Sequence, residues 1–269
     1  MDEVKSYYNE AAEAEWNRLS NPYTQVEFQS TLYLIEKYFP KGGKVLDIGS
    51  GPGRYSIELL KKGYKVTLLD ISEKELDIAK NKIQEAGLKA EGYHAQSALD
   101  LDKFQDEAFD IILIMGPLYH LHKKEDRLRV LKEGRRLLKK GGVALISYIN
   151  SWGCLKAGVE EFPEEFKDKG HFLRFLQEDM CLSAEESFTE AYFTTPPVAL
   201  KEIEESGLKL VSYGGAESFL AALRPQLLVL NREQPLIYRD FVAFAAENCE
   251  LPQYRDATEH LHIIAIKES

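Results

Sequence analysis

The chain is poor in residues that would mark several protein classes. It has only three cysteines, Cys154, Cys181 and Cys249, among 269 residues, and no C-x-x-C pair. Three scattered thiols make neither a disulfide framework nor a cysteine metal site, so reduced thiols in a reducing compartment are expected. No run of eighteen apolar residues occurs, and no membrane span is expected. The opening stretch MDEVKSYYNEAAEAEWNRL lacks the basic start and apolar segment of a secretory signal, which points to a cytoplasmic protein. Positive charge is also scarce. Lys and Arg total 34 against 44 Asp and Glu, a net charge of −10. Phosphate backbones are held by clustered Lys and Arg, so an extended nucleic-acid surface is disfavoured. Internal repeats and low-complexity linkers are absent as well.

What remains is an α/β pattern. Apolar residues make up 44% of the chain and charged residues 29%, as in a soluble globular protein. Short apolar runs alternate with helical spacing from about residue 42 to 150. VLDI, KVTLLD, EGYHAQ, FDIILIM and VALISYI read as strands. A helix from Arg54 stops at Gly63, a second begins at the Ser72 capping box (SEKE), and a third covers Lys124 to Lys140 before Gly141-Gly142. Two later runs, LKLVSYG and HLHIIAIK, predict a closing antiparallel hairpin around a helical excursion from Arg224 to Asn248. Strand–helix alternation with short turns predicts a doubly wound, mostly parallel, seven-stranded sheet with right-handed crossovers. Ligands of such sheets sit beyond the carboxyl ends of the strands.

The first of those ends is VLDIGSGPGRYS, residues 45–56. A dinucleotide turn reads G-x-G-x-x-G, with a diphosphate on the helix N-terminus. Here the glycines are Gly49, Gly51 and Gly53, and Arg54 stands where the third glycine belongs. Asp47 precedes the turn, and a carboxylate there repels phosphate but suits an ammonium group. Asp70, at the end of the second strand, is placed to accept ribose hydroxyls. The ligand is therefore expected to be a ribonucleoside with a cationic tail and no phosphate, a description that S-adenosyl-L-methionine fits.

VLDIGSGPGRYSIELLKKGYKVTLLDIS, then FDIILIMGPLYHL and EDRLRVLKEGRRLLKKGGVALISYI, resembles the class I S-adenosylmethionine-dependent methyltransferases over roughly residues 40–150. YYNEAAEAEWNRL is similar to the N-terminal helix of a bacterial small-molecule-type branch. The resemblance implies that Asp47 orders the methionine amino end, and that Gly49, Ser50, Gly51 and Gly53 let the backbone approach the cofactor. It implies that Asp70 holds the ribose, Ile71 packs on the adenine, Ala98 and Leu99 lie at the adenine edge, and Met115 and Gly116 flank the methionine tail. Ser97 stands where many relatives carry an acid. The implied organisation is an N-terminal helical cap (1–40), a cofactor-binding core (41–150), a lid insertion after strand 5 (151–195), and a C-terminal part of the core (196–269).

Methyl transfer from a sulfonium needs alignment above all, and a base only when the acceptor must lose a proton. The acceptor site should adjoin MGPLYHLHKK. Gly116-Pro117-Leu118-Tyr119 lacks the leading Asn or Asp of enzymes that methylate base amines. Tyr119 and His120 are the candidate catalytic groups, with pocket-wall packing as the alternative. Tyr7, Tyr8 and Trp16 are candidates to close over the cofactor, and Arg18 to bind its carboxylate. Phe162, Phe166, Phe172, Phe175, Tyr192 and Phe193 either line an apolar acceptor pocket or form the insertion's own core. His120 and His122, and His260 and His262, lack partners at ligand spacing, so no metal is expected. The expectation is a methyltransferase acting on O, N or C of a small molecule, as a monomer or homodimer. A tRNA or protein modifier and a non-catalytic cofactor-binding protein are the rival readings.

Overall fold

The computed structural model describes residues 2–176 and 179–268. Two helices lead, α1 (Asp2–Arg18) and α2 (Thr24–Tyr38). The alternating core follows: β1 (Lys44–Ile48), α3 (Arg54–Lys61), β2 (Lys65–Asp70), α4 (Glu73–Glu85), β3 (Gly92–Ala95), β4 (Phe109–Ile114), α5 (Lys124–Leu137) and β5 (Leu138–Asn150). The insertion contributes α6 (Ser151–Glu161), α7 (Lys169–Leu176), β6 (Asp179–Leu182) and β7 (Ala191–Thr194). After α8 (Pro196–Glu205) and β8 (Lys209–Gly215) come α9 (Arg224–Glu233), α10 (Pro235–Glu247), α11 (Pro252–Arg255) and β9 (His260–Ile266).

The main sheet runs β3-β2-β1-β4-β5-β9-β8. All neighbours are parallel except that β9 runs against both β5 and β8. These are the seven expected strands, with the closing hairpin where the sequence put it. Alternate residues of each central strand face opposite layers. Val45, Val66, Leu68, Ile111, Leu113 and Leu145 pack towards α2, α3 and α4, whereas Leu46, Ile48, Leu69, Ile112, Ile114 and Ile146 pack towards α5 and α8. Coverage on both faces explains why β4 is apolar throughout.

Two expectations are corrected. The sheet has nine strands among the described residues, not seven. β5 outruns β4, so Ile149 and Asn150 keep a free pairing edge, and Phe193 and Thr194 of the β6–β7 hairpin take it. The insertion thereby joins the sheet through the β6–β7 hairpin, beside the loop that follows β4. The helix expected to reach Lys140 ends at Leu137, because Leu138 already pairs with Phe109.

Candidate active site

One cavity of about 480 Å³ opens at the carboxyl ends of β1, β2 and β4. Its floor is the glycine turn. Gly49 and Ser50 both donate their N–H to the Leu69 carbonyl, which ties the turn to β2. Gly49 has φ +75°, and a Cβ there would sit 2.4 Å from Pro117 Cδ, so only glycine fits between β1 and the loop after β4.

Asp47 is 1% exposed. Its Oδ2 accepts from Ser56 Oγ at 2.7 Å, and its Oδ1 has no partner. Burial, with Asp70 nearby, pushes this carboxyl up to about 7. An unpaired carboxylate oxygen on a cavity wall is a receptor for a cation. Asp70 closes the adjacent end. Its oxygens accept N–H groups from Ser72 and Gly51, both at 2.8 Å, and each keeps a further lone pair for a ligand hydroxyl. Burial raises Asp70 to about 6 against these hydrogen bonds. This set of acceptors fits a diol and an ammonium group, as S-adenosylmethionine carries.

Asp47, Gly49, Ser50, Gly51, Asp70, Ile71, Ser97, Ala98, Met115, Gly116, Tyr8 and Arg18 all line the cavity, together with Tyr119 and His120. Gly53 and Leu99 do not. Gly53 turns into α3 against Ala79 and Leu68, and Leu99 packs on the opposite core layer. Ser97 Oγ accepts from the Leu99 N–H at 3.1 Å, so that hydroxyl also shapes its own loop. Arg18 is not free for a cofactor carboxylate, because Glu27 (2.8 Å) and Glu15 (3.3 Å) hold it. Arg54, the residue in place of a third glycine, stacks on Trp16 and donates to its carbonyl, fastening α1 over the turn. Trp16 is thereby a support beneath Arg54 and not a cavity wall.

The inner half of the cavity is built by the loop after β4, by α1 and by the insertion. His120, 7% exposed, stands between Tyr8 and the insertion. Its Nδ1 lies 2.8 Å from the Glu190 carbonyl, so that nitrogen donates. Nε2 then accepts the Tyr8 hydroxyl at 2.8 Å. Burial lowers His120 to about 4 and keeps the ring neutral. His122 pairs with the Ala191 carbonyl at 3.1 Å. The H-x-H spacing therefore pins the insertion hairpin to the loop after β4 through two carbonyls. Tyr119 donates to the Met115 carbonyl at 3.0 Å.

Phe188 of the insertion leans on both Tyr7 and His120 and lines the cavity. Phe162, Phe166 and Phe175 instead stack on one another in a separate small core with Phe193 nearby. The insertion's own core was one of the two readings of those aromatics, and it is the one observed for Phe162, Phe166, Phe175 and Phe193; Tyr192 instead packs in the main core beneath Arg127, and Phe172 is exposed.

The far wall holds His260, weighed from sequence only as half of a metal pair, with two acids behind it that no motif marks. His260 Nδ1 donates to Glu217 at 2.7 Å, and Glu27 is 4.0 Å away. Burial opposes the charge on His260, but Glu27 and Glu217 outweigh it and raise the ring to about 9. These three groups come within 4.8 Å of one another. Arg18 and the protonated His260 neutralise the two acids, so the cluster is a closed ion network. The Tyr23 hydroxyl donates to Glu259, which also faces the cavity.

Residues 45–142 match the methyltransferase domain family. The ubiquinone biosynthesis O-methyltransferase of Coxiella burnetii is 35% identical over 151 residues, 55% of this chain and 59% of that protein. The enzyme of the same name from Pasteurella multocida is 34% identical over 131 residues, covering 44% and 53%. The chain thus spans little more than half the length of these curated relatives. Among solved structures, the 1,6-didemethyltoxoflavin N1-methyltransferase of Burkholderia thailandensis, with bound S-adenosylhomocysteine, superposes with a TM-score of 0.62. That match covers 99% of this chain and 88% of that one at 16% identity, a likeness of fold. A matching family model, the β3-β2-β1-β4-β5 order and the two acids flanking the glycine turn agree: residues 45–142 carry a methyltransferase domain, and the fold around it is that of the class I S-adenosylmethionine-dependent methyltransferases.

Proposed function

We propose that the protein transfers the methyl group of S-adenosylmethionine to a small-molecule acceptor held in the inner half of the cavity. The observation that carries this is the continuity of one chamber from Asp47 and Asp70 to Tyr8, Tyr119 and His120. Its size falls in the range of small-ligand sites, roughly 300–1,000 Å³. Coverage by α1 and the insertion suits a compact acceptor better than a polymer.

S-adenosylmethionine supplies an electrophilic methyl on a sulfonium with a neutral leaving group. The chain's part is to hold and align. Asp47 Oδ1 pairs with the amino group, and Asp70 accepts from the ribose. Met115 and Gly116 border the sulfonium end. Tyr8 and His120 serve the acceptor: the Tyr8 oxygen accepts an acceptor O–H or N–H while its own proton stays on, or passes to, His120 Nε2. His120 is a weak base in this setting, so its main effect is to fix the Tyr8 hydroxyl. Such a pair favours a nucleophile that attacks with a lone pair already available, or an acidic hydroxyl.

Incubation with methyl-labelled S-adenosylmethionine and a metabolite extract tests this. Label in a small, protease- and nuclease-resistant product is expected. Label confined to RNA or protein would refute the small-molecule reading.

A further inference from the structure

Glu75 is the third residue of α4, and sequence spacing casts it as half of a capping box. Only one half forms. Ser72 Oγ accepts the Glu75 N–H at 3.2 Å, but the Ser72 N–H donates to Asp70 instead. The Glu75 side chain is released from the cap and lines the cofactor cavity. It is 2% exposed, its Oε1 has no partner, and its Oε2 lies 3.3 Å from where a Cβ on Gly51 would be. The Gly51 N–H donates to Asp70 Oδ2, so Asp70 and Glu75 converge on one backbone unit.

The groups facing Glu75 are Asp70 from β2, Glu15, Arg18, Tyr7 and Tyr8 from α1, and Tyr119 from the loop after β4. Arg18 is the cation among them, and Glu15 and Glu27 already hold it. Burial first, then Asp70 and Glu15, raise the Glu75 carboxyl to about 9. A protonated carboxyl is a donor. A ribose diol offers two O–H groups and the lone pairs of two oxygens. Asp70 can accept from the O–H groups, but it leaves the lone pairs unserved.

We propose that Glu75 is a second ribose-binding residue, donating a hydrogen bond to an oxygen of the diol whose hydroxyls Asp70 accepts. This rests on the cofactor assignment above and adds a specificity determinant to it. Rising pH ionises Glu75, removes the donor and sets two carboxylates against one diol.

The test is calorimetric titration of S-adenosylhomocysteine into the wild-type protein, Glu75→Gln and Glu75→Met from pH 6.5 to 10, with thermal unfolding of each apoprotein as the folding control. Between pH 8 and 10 the wild type should lose about tenfold more affinity than Glu75→Gln, one hydrogen bond being worth roughly that factor. Glu75→Gln keeps a donor and cannot ionise, so its affinity should stay within a few-fold of wild type at pH 7 and show only the pH dependence that Asp47 and the ligand's amino group impose on both proteins. Glu75→Met should bind about tenfold more weakly at pH 7. Equal affinities of wild type and Glu75→Met at pH 7, or the same pH profile in wild type and Glu75→Gln, would overturn the role of Glu75 alone. Failure of the wild type to bind at any pH would overturn the cofactor assignment itself.

Discussion

Asp47 couples function to stability, and Asp47→Asn separates the two. The carboxyl is buried with one oxygen unpaired and lies at about 7 instead of 3.8. Above pH 7 the folded protein must hold it ionised and desolvated. At 1.36 kcal/mol per pH unit that costs about 4 kcal/mol. The sign follows from a carboxyl raised in the folded state. Its contribution is most favourable below about pH 4 and is lost as pH rises through 7. Asparagine keeps the bond from Ser56 Oγ and carries no charge, but its NH₂ lacks a partner, at a cost of about 1–3 kcal/mol. The net expectation is an apoprotein more stable than wild type by about 1–3 kcal/mol at pH 8, a rise in Tm of several degrees. The advantage should vanish near pH 5. S-adenosylhomocysteine binding should weaken about 10- to 150-fold, because a hydrogen bond to an ionised group contributes about 1.5–3 kcal/mol. Differential scanning fluorimetry at pH 5, 6.5 and 8, with and without S-adenosylhomocysteine, reads both effects. An Asp47→Asn protein less stable than wild type at pH 8, or one that binds the ligand undiminished, would refute this reasoning.

Other perturbations have equally definite outcomes. Arg127 is buried against Glu202 at 2.7 Å, lies over the Tyr192 ring and holds the Leu121 and His122 carbonyls. Arg127→Ala strands the Glu202 charge and should cost about 3–5 kcal/mol in urea unfolding, with loss of acceptor turnover as the 117–122 loop loosens. Tyr8→Phe and His120→Ala should each lower turnover of an identified acceptor about 10- to 100-fold while leaving S-adenosylhomocysteine affinity within about threefold, since they remove the proton-accepting pair and not the cofactor contacts; equal losses in binding and turnover would contradict that division. Gly49→Ala forces a Cβ into Pro117 at a positive φ and should destabilise by at least about 1–3 kcal/mol, measured by thermal unfolding. His260, raised to about 9, contributes stability that is fully present below about pH 6.5 and lost as pH climbs through 9. His260→Gln should therefore flatten the alkaline limb of the stability profile.

The sheet and the cofactor floor were legible because their signals are local. A continuous apolar strand, an acid and a glycine turn occupy adjacent positions, and tertiary context does not rewrite them. The insertion was not legible in this way. β6 and β7 are four residues each, and their pairing depends on how far β5 outruns β4, which no local pattern encodes. Glu75 misled for a related reason: its spacing from Ser72 suits a capping box, but Asp70 competes for the same N–H. Glu217 and Glu259 carry no motif, and only the fold brings Glu217 to His260 and sets Glu259 against Tyr23 on the cavity wall. His120 and His122 stand together in the loop after β4, but their carbonyl partners sit some seventy residues away, where no local pattern could have pointed to them.

The central claim is that Asp47, the glycine turn and Asp70 hold a cationic ribonucleoside without phosphates. Titrating the purified protein separately with S-adenosylhomocysteine and with a nicotinamide dinucleotide, by calorimetry at pH 7.5, tests it most directly. Saturable one-to-one binding of S-adenosylhomocysteine that is abolished or greatly weakened in Asp70→Ala, with no binding of the dinucleotide, is the predicted result. Binding of the dinucleotide in place of S-adenosylhomocysteine would contradict it.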